Sequence, residues 1–468
     1  MSTKRRDFLK LTGLTGLSLV GSSLIGCGTT AAGKLTASPL SSKQRFNMSG
    51  YAAPKIDTVR IGIIGLGMRG PGAVNRMSHI EGVEIKGLCD LRTERVEAAQ
   101  KGLKNSVHTP TSYSGKEDSW KELCDRDDID LIYICTPWHL HTPMAVYAMN
   151  AGKHVAVEVP AASTVDECWQ LVQTSEKTKK HCMMLENCCY DFFELLTLNM
   201  ARQGYFGEII HAEGAYIHDL LGLNFDKNGY QDMWRLKENY KNGNLYPTHG
   251  LGPVCQIMNI NRGDKMDYLT SMASNDFHMA KKAEELAAKD SFYQEFVGKK
   301  FRGNMNTTSV RTANGRTIMI QHDVTSPRPY SRIHLVSGTE GFACKYPEPA
   351  KIAKGEEYVS AEEFKRLEAQ YTPEIVKKVG EMAKKIGGHG GMDFMMDWRL
   401  IDCLRNGLPL DQDVYDAASW SVIAPLSEWS VANRSNSIDI PDFTGGSWKS
   451  NKPVELTLTG GGTTNVHV

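Results

Sequence analysis

The chain has no excess of either charge and no long basic block. Its 468 residues contain 54 Lys plus Arg and 54 Asp plus Glu, so the formal net charge at pH 7 is zero. Proteins that bind nucleic acid usually cluster lysine and arginine on one face, and this sequence offers no such cluster. We therefore do not expect a nucleic-acid partner.

A long uninterrupted apolar run is also missing. Leu11–Ile25 is broken by glycines and falls short of the about 20 apolar residues that a membrane-spanning helix needs. It follows Arg5-Arg6 and leads into Leu24-Ile25-Gly26-Cys27. This order resembles a twin-arginine export signal that ends in a bacterial lipoprotein cleavage box. The resemblance implies that residues 1–27 carry the signal and that the exported protein is anchored by lipid (palmitate) on Cys27 to the bacterial membrane, on its periplasmic side or at the cell surface.

Residues 28–55 have no apolar period. They are rich in Ser, Thr, Ala and Gly, a composition that is typical of a flexible tether. About 440 residues remain after the signal, which is enough for two or three domains with sizeable cores.

Paired CxxC spacings are absent as well. The sequence has 11 cysteines, which in an exported chain would point to disulfides. However, Cys89 and Cys135 lie in apolar strand-like segments, and Cys188 and Cys189 are adjacent. We therefore predict that most of the cysteines are buried thiols.

A glycine-rich turn follows the first apolar strand. Val59–Gly70 reads V-R-I-G-I-I-G-L-G-M-R-G, which gives Gly65, Gly67 and Gly70 the spacing of a dinucleotide-binding turn. These glycines allow the tight turn, the approach of a pyrophosphate and the packing of helix on strand. Asp90 ends a second apolar strand about twenty residues later, where an acid accepts from ribose hydroxyls and disfavours a 2′-phosphate. The pattern predicts NAD as the cofactor rather than NADP.

Strands and helices alternate up to about residue 186. The predicted strands are Val59–Gly65, Val83–Cys89, Asp130–Cys135, His154–Pro160 and His181–Asn187. The predicted helices are Pro71–Ile80, Arg92–Lys104, Met144–Gly152 and Thr164–Lys180. Such alternation predicts a parallel sheet with right-handed crossovers. We therefore assign residues 56–186 to a doubly wound Rossmann domain of the α/β class.

The pattern changes after Asn187. Gly207–His218 is strand-like, and Thr308–Val324 carries a central Asn314-Gly315, which is a strong hairpin signal. Residues 187–468 are therefore predicted to form a C-terminal α+β domain with a mostly antiparallel open sheet, which we expect to bind the substrate.

Several motifs carry a resemblance to a known family. The order G-L-G-M-R-G, L-C-D, C-T-P-W-H-L-H-T-P, A-G-K-H-V-A-V-E-V-P and L-E-N resembles the Gfo/Idh/MocA oxidoreductase superfamily over nearly the whole chain after the signal. Four details are similar to glycoside hydrolase family 109, the NAD-dependent α-N-acetylgalactosaminidases: Trp138-x-x-His141, Glu158-Val159-Pro160, Tyr246-Pro247-Thr248-His249-Gly250 and Gly388-His389-Gly390-Gly391-Met392-Asp393. Superfamily members often pair through the open face of the second sheet, so the resemblance leaves a homodimer open.

Two departures from the superfamily pattern bear on the activity. The usual Glu-Lys-Pro is Glu158-Val159-Pro160, and the aspartate usually found four residues before the active-site histidine is Leu245. Both changes match the hydrolase family and disfavour a plain sugar dehydrogenase. An exported NAD-dependent sugar dehydrogenase remains the alternative, and a non-catalytic sugar or nucleotide sensor is a third.

The resemblance implies hydrolysis of terminal α-N-acetylgalactosamine with retention. NAD⁺ would take hydride from C3 of the sugar, and the ketone would acidify C2 and allow elimination of the aglycone. Water would then add to the unsaturated sugar, and the hydride would return, so the tightly bound cofactor is regenerated in each cycle. The expected partner is a glycan or glycoconjugate that ends in this sugar.

The residues implied for the cofactor follow the strand ends. They are Gly65, Gly67, Met68, Arg69, Gly70, Asp90, Trp138, His139, Leu140, His141, Glu158, Val159 and Asn187. His139 and His141 have a spacing that a metal pair could use, but no nearby carboxylate or cysteine completes a ligand set. We therefore predict no metal.

Tyr246 and His249 are the predicted catalytic residues. A histidine with an ordinary pKa of about 6.5 can accept and return a hydroxyl proton, whereas a tyrosine needs a pKa below its ordinary value of about 10 to act as a base. Which of the two removes the C2 proton stays open. The residues implied for the sugar are Tyr216, Arg235, Tyr246, Pro247, Thr248, His249 and Tyr330. His389 has only its glycine-rich setting and receives no role.

Overall fold

A computed structural model describes residues 43–455 and 457–467 of the chain. The predicted signal, Cys27 and residues 28–42 of the predicted tether lie outside the described residues. Among the helices that are described, none combines the length and apolar character that a membrane crossing requires.

The N-terminal part of the described chain is built on a parallel sheet. Its strands are β1 (Val59–Ile64), β2 (Val83–Cys89), β3 (Thr111–Tyr113), β4 (Leu131–Ile134), β5 (His154–Val157) and β6 (Cys182–Met184), in the order β3-β2-β1-β4-β5-β6. The connecting helices are α1 (Gly70–Met77), α2 (Thr93–Gly102), α3 (Ser119–Cys124), α4 (Trp138–Asn150) and α5 (Val165–Thr178). The neighbouring strands pair in parallel, which confirms the predicted doubly wound sheet.

Two features of this part differ from the sequence-based prediction. Strand β3 and helix α3 were not predicted. Strand β3 is a short edge strand whose residues are polar and largely exposed, so it carries no apolar run that would reveal it. Helix α4 begins at Trp138 and not at Met144, although Pro143 lies inside it. Pro143 is the sixth residue of the helix, so α4 forgoes the one backbone hydrogen bond that an N–H at this position would donate to the His139 carbonyl.

The second part is built on a larger mixed sheet. In the described residues its strands are β7 (Ile209–Ile217), β8 (Met266–Ala273), β9 (Asn306–Thr312), β10 (Thr317–Asp323), β11 (Leu335–Gly338), β12 (Phe342–Cys344), β13 (Lys351–Lys354), β14 (Glu357–Tyr358) and β15 (Ile438–Asp439), in the order β14-β13-β12-β11-β7-β10-β9-β8-β15. Strands β7 and β10 pair in parallel, and the other recorded pairs are antiparallel. The predicted hairpin joins β9 to β10, with Gly315 at φ +85°. The mostly antiparallel sheet is thus confirmed.

Helices cover one face of this second sheet, and the C-terminal ones also pack against the parallel sheet of the N-terminal part. They are α6 (Phe192–Arg202), α7 (Leu221–Asn224), α8 (Trp234–Glu238), α9 (Thr248–Ile257), α10 (Met279–Ala287), α11 (Ala361–Tyr371), α12 (Glu374–Ile386), α13 (Met392–Asn406), α14 (Val414–Ser421) and α15 (Ile423–Ala432). Short 3₁₀ turns lie at Asn187–Tyr190, Gln231–Met233, Ser291–Phe296, His389–Gly391 and Ser447–Lys449. Helix α13 contacts α1 and β1, while α14 packs on α5 and β6, so the C-terminal helices tie the two sheets together.

Helix α9 lies unusually close to the second sheet. A Cβ on Gly214 of β7 would come within 2.3 Å of the Gly250 carbonyl oxygen, and a Cβ on Gly250 would come within 2.2 Å of the Ala215 nitrogen. Only glycine at both positions allows this approach. The contact fixes the start of α9, where Tyr246 and His249 lie.

Residues 43–55, which the sequence assigns to the end of the tether, pack on the folded body. Met48 is 2% exposed, and its N–H donates to the Tyr415 hydroxyl. The Arg45 N–H donates to the Glu176 carboxylate at 2.8 Å. The tether boundary at residue 55 is therefore corrected, because these contacts depend on partners far away in sequence that composition does not reveal.

Candidate active site

One cavity of about 750 Å³ lies at the carboxyl ends of the parallel strands. Residues that follow β1, β2, β4 and β5 line one side of it, and residues of the second sheet and of α8 and α9 line the other. Ligands of doubly wound sheets bind at this edge, because the strands end there and the helices begin.

The glycine-rich turn has the shape that a dinucleotide needs. Gly65 has φ +91°, and a Cβ there would lie 2.7 Å from the Cys135 backbone. A Cβ on Gly70 would lie 2.0 Å from the Gly65 carbonyl oxygen, so Gly70 serves helix packing and does not line the cavity. A Cβ on Gly67 would meet only the Arg95 guanidinium, and Gly67 itself faces the cavity. The turn thus leaves room for a pyrophosphate at the start of α1.

Asp90 is fixed at the end of β2. Its carboxylate accepts from the Leu66 N–H at 2.7 Å and from the Arg92 N–H at 2.9 Å, while an Arg95 nitrogen lies 3.7 Å away. It lines the cavity together with Leu91, and its contact with the ribose stays a prediction. A carboxylate at the end of β2 fits NAD, the cofactor that the sequence predicts. Arg95 was missed because it lies on a helix with no motif of its own.

Arg69 is held by two carboxylates of the protein. Its Nε donates to Glu158 at 2.7 Å and its Nη1 to Asp393 at 3.0 Å. Asp393 also accepts from the Asn187 amide at 2.5 Å and contacts His389 Nδ1 at 2.9 Å. Burial raises the pKa of Asp393, but the hydrogen bond to His389 and the charge of Arg69 outweigh burial and hold that pKa well below its usual range. The cluster joins the glycine-rich turn to the start of α13.

The two histidines of α4 do not point to a shared ligand. His141 is 1% exposed, and its ring nitrogens lie 2.7 Å from the carbonyl oxygens of Thr136 and Pro160. Burial lowers the pKa of His141 despite these acceptors. His139 is exposed at the cavity. His141 therefore links the ends of two strands.

An aromatic cluster encloses a guanidinium on the other side of the cavity. Tyr246 stacks on Trp138 with ring centroids 5.5 Å apart, and Tyr216 lies 4.8 Å from Tyr246. The Arg235 guanidinium lies 4.9 Å from the Trp138 ring centroid and 5.0 Å from that of Tyr246. Burial raises the pKa of Tyr246 well above its ordinary value, although Arg235 opposes this effect. The phenol is therefore protonated at neutral pH.

His249 is bonded to a buried carboxylate that sequence reasoning did not single out. Its Nδ1 lies 2.7 Å from Oε1 of Glu186, which is fully buried. Burial alone would raise the pKa of Glu186. The interaction with His249, both coulombic and through the hydrogen bond, outweighs burial and lowers this pKa below its usual value. In the described part of the chain, the Glu186, Cys188 and His249 donor atoms lie within 4.8 Å of one another. The signal for Glu186 was an acid at the end of a buried strand.

The structure brings most of the predicted residues together. The cavity is lined by Gly65, Gly67, Met68, Arg69, Asp90, Trp138, His139, Leu140, His141, Glu158, Val159, Asn187, Tyr216, Arg235, Tyr246 and His249. Gly70, Pro247, Thr248 and Tyr330 are not among the lining residues. The Tyr330 ring contacts two lining side chains, His218 and Tyr216, with ring centroids 5.0 Å and 6.2 Å away. His389, which the sequence left without a role, also lines the cavity, as do Tyr230 and Trp234.

Comparison with known families matches both parts of the chain. Residues 59–186 match the family described as "Oxidoreductase family, NAD-binding Rossmann fold". Residues 190–450 match the family described as "Glycosyl hydrolase 109, C-terminal domain".

Named relatives agree with this match. "Glycosyl hydrolase family 109 protein 1" of Bacteroides fragilis is 50% identical over 438 residues, which cover 89% of this chain and 92% of the relative. A Bacteroides fragilis protein named "Alpha-N-acetylgalactosaminidase" is 52% identical over 418 residues, which cover 88% of this chain and 97% of the relative.

Solved structures share the fold. Levoglucosan dehydrogenase in complex with NADH and levoglucosan has a TM-score of 0.61 at 17% identity, over 82% of this chain and 100% of that one. An NAD-binding oxidoreductase from Klebsiella pneumoniae has a TM-score of 0.62 at 16% identity, over 83% of this chain and 100% of that one.

Proposed function

The chain belongs to glycoside hydrolase family 109, with an NAD-binding Rossmann domain, and on that basis we propose that it releases terminal α-linked N-acetylgalactosamine with retention of configuration. The named α-N-acetylgalactosaminidase relative supports this substrate. A glycan or glycoconjugate that ends in this sugar would be the natural partner.

A single cavity carries the proposal. The turn suited to a dinucleotide and the Tyr246–His249 pair line the same space, so a cofactor and a sugar would meet there. A conventional glycosidase needs two free carboxyl groups about 5 to 9.5 Å apart. Four carboxylates line this cavity. Glu158 is bonded to Arg69 and Asp90 to two backbone N–H groups, whereas Glu117 and Asp232 are exposed. The two buried carboxylates are therefore engaged in positioning, which supports the cofactor-mediated route.

The residues divide the proton chemistry between them. The chemistry that NAD supplies when bound is the reversible uptake of the hydride from C3 of the sugar. His249, on the first turn of α9, is the proposed acceptor of the C3 hydroxyl proton and, once that proton has passed to solvent, of the C2 proton, because Tyr246 is held in its protonated form. Tyr246 then acts as a hydrogen-bond donor to the sugar oxygen. Arg235 and the surrounding rings exclude water and present donors to the acetamide.

Hydrolysis in deuterated water tests the proposal. The purified protein, without added NAD, is given a chromogenic α-N-acetylgalactosaminide, and the released sugar is analysed by mass and by NMR for its anomeric configuration. We expect release of the α-anomer first, with deuterium at C2, because a route through a C3 ketone exchanges that hydrogen. Hydrolysis without label would keep the substrate and overturn the route. A stable keto sugar without hydrolysis would point to the sugar dehydrogenase instead.

A further inference from the structure

We propose that Glu186 is a positioning residue that fixes the ring and the tautomer of His249 for proton transfer. The inference rests on the proposed function, because it assumes that His249 accepts a sugar proton. It adds a second residue to the proton-transfer machinery, one that does not line the cavity.

The fully buried Glu186 is held through one carboxylate oxygen and through its backbone carbonyl. Its Oε1 meets His249 Nδ1 at 2.7 Å and accepts from the Cys188 N–H at 3.1 Å. The Gln412 amide donates to the Glu186 backbone carbonyl at 3.0 Å. A Cβ on Gly252 of α9 would lie 2.9 Å from Glu186 Cγ, so helix and side chain are in close contact. The bond between Glu186 and His249 is therefore part of the packing of α9 against the end of β6.

This bond selects one form of the imidazole. An ionised carboxylate can only accept, so Nδ1 must carry the proton that is shared with Glu186. In the neutral ring Nε2 is then unprotonated, on the side of the ring away from Glu186. When Nε2 takes a proton from the sugar hydroxyl, the buried carboxylate stabilises the resulting imidazolium. Carboxylate–histidine pairs in serine hydrolases act by the same principle.

The short distance favours a hydrogen bond over a metal site. Two ligands on a tetrahedral zinc, each about 2.0 to 2.1 Å from the ion, lie about 3.3 Å apart. The Oε1 to Nδ1 distance of 2.7 Å is shorter than that and is typical of a charge-assisted hydrogen bond. Glu186, Cys188 and His249 therefore form a hydrogen-bonded cluster and not a ligand set.

The first test measures the tautomer directly. Protein labelled with ¹⁵N-histidine is studied by NMR without substrate, and the His249 signals are identified by their loss in His249→Gln. We expect protonated Nδ1 and bare Nε2 in the wild-type protein, and loss of this preference in Glu186→Met, which removes the acceptor. A protonated Nε2 in the wild type, or the same tautomer in both proteins, would overturn the proposal.

The second test separates positioning from folding. In Glu186→Met we expect kcat to fall about 10²- to 10⁴-fold while KM changes less than about threefold, by analogy with the loss of a tautomer-fixing carboxylate. Glu186→Gln keeps an acceptor but not the charge, so its kcat should lie in between. The matched control is Glu176→Met, which removes another buried carboxylate, bonded to Tyr415 and remote from the cavity. It should leave kcat unchanged.

The outcomes distinguish the two hypotheses. If folded Glu186→Met retains kcat within about threefold of wild type, the positioning role is wrong, since a lost tautomer preference costs far more. If the wild-type protein hydrolyses no α-N-acetylgalactosaminide but shows the expected tautomer, the proposed function fails and the role of Glu186 in fixing His249 stands.

Discussion

Arg235 is a cation that aromatic rings hold in place. Its guanidinium lies 4.9 Å from the Trp138 centroid, 5.4 Å from that of Tyr230 and 5.0 Å from that of Tyr246. No salt bridge to it is found within residues 43–455 and 457–467. Cation–π contacts orient a guanidinium without occupying all of its N–H donors. The free donors are available for the acetamide of the substrate.

Replacing Arg235 should reduce discrimination between sugars. In Arg235→Met we expect kcat/KM for an α-N-acetylgalactosaminide to fall about 10²-fold, with a smaller loss for the α-galactoside, because the acetamide loses its donor. Arg235→Lys should restore little of the lost kcat/KM, since an ammonium group neither stacks on aromatic rings nor donates two parallel hydrogen bonds as a guanidinium does. Paired kinetics on the two substrates measure the ratio. Equal losses on both would show that Arg235 does not recognise the acetamide.

Single residues were predictable where a motif carried them. Gly65, Asp90 and His249 lie in recognisable patterns, and all three line the cavity. Glu186 carries no such pattern, since its partner lies 63 residues away and the two meet only through the packing of α9 on the sheet. The sequence showed that the position is buried but not what the carboxylate is bonded to.

At the level of elements, the start of α13 is bonded to the glycine-rich turn on the cofactor side of the cavity. Asp393 is fully buried and bonds to Arg69 of the glycine-rich turn, while an Arg76 nitrogen of α1 lies 3.5 Å away. It also accepts from Asn187, which follows β6. One carboxylate therefore couples α13, α1 and the end of the sheet.

Neutralising this carboxylate should loosen the cofactor side. Asp393→Asn leaves two cations partly uncompensated, so we expect a loss of about 3 to 5 kcal/mol in stability and a lower content of bound nicotinamide. Thermal unfolding measures the first, and absorbance of the nucleotide released by denaturation measures the second. The matched control is Asp128→Asn, which breaks a surface pair with Arg126 and should cost no more than about 1 kcal/mol. Unchanged stability and nucleotide content in Asp393→Asn would contradict the coupling.

Elements with strong patterns were predicted, and weakly patterned ones were not. The strands β1 and β4 are almost entirely apolar, with Arg60 the one charged residue between them, so their existence follows from the sequence. Strand β3 is an exposed polar edge that forms only because β2 offers it hydrogen bonds. The order of the nine strands of the second sheet as described also depends on long-range pairing, such as that of β7 with β10, which no local pattern reveals.

At the scale of the whole molecule, buried ionisable groups make the folded state less stable in acid. Burial lowers the pKa of both His181 and His334 from 6.5 to about 4. Burial raises the pKa of Glu194, but the charges of Arg332 and Lys345 outweigh it and lower the pKa from 4.5 to about 2. In each case the unfolded chain binds protons more readily than the folded one. Stability is therefore present above the unfolded pKa and is lost as the pH falls.

The free energy of unfolding should thus fall between pH 6.5 and pH 4 through the histidines, and further below pH 4.5 through Glu194. Each histidine accounts for about 3 kcal/mol over its range. Denaturant unfolding at several pH values measures the slope. His181→Phe, which keeps a ring against Tyr51, should flatten the slope, whereas His467→Phe at an exposed position should not. A slope that His181→Phe leaves unchanged would refute the assignment.

Export of a folded, cofactor-loaded protein is the last expectation, and it concerns residues outside those described. The cavity needs both sheets in place, so NAD has to bind after folding, and twin-arginine export carries folded proteins. Residues 43–55 pack on the body, so the part of the predicted tether that remains, residues 28–42, lies outside the described residues. We propose that Arg5→Lys with Arg6→Lys keeps the protein in the cytoplasm, and that Cys27→Ser allows export but not membrane attachment. Cell fractionation checks the location, and nucleotide analysis should find NAD in both variants. A membrane-bound Cys27→Ser protein would rule out the lipid anchor, and an exported double-lysine variant would rule out the twin-arginine route.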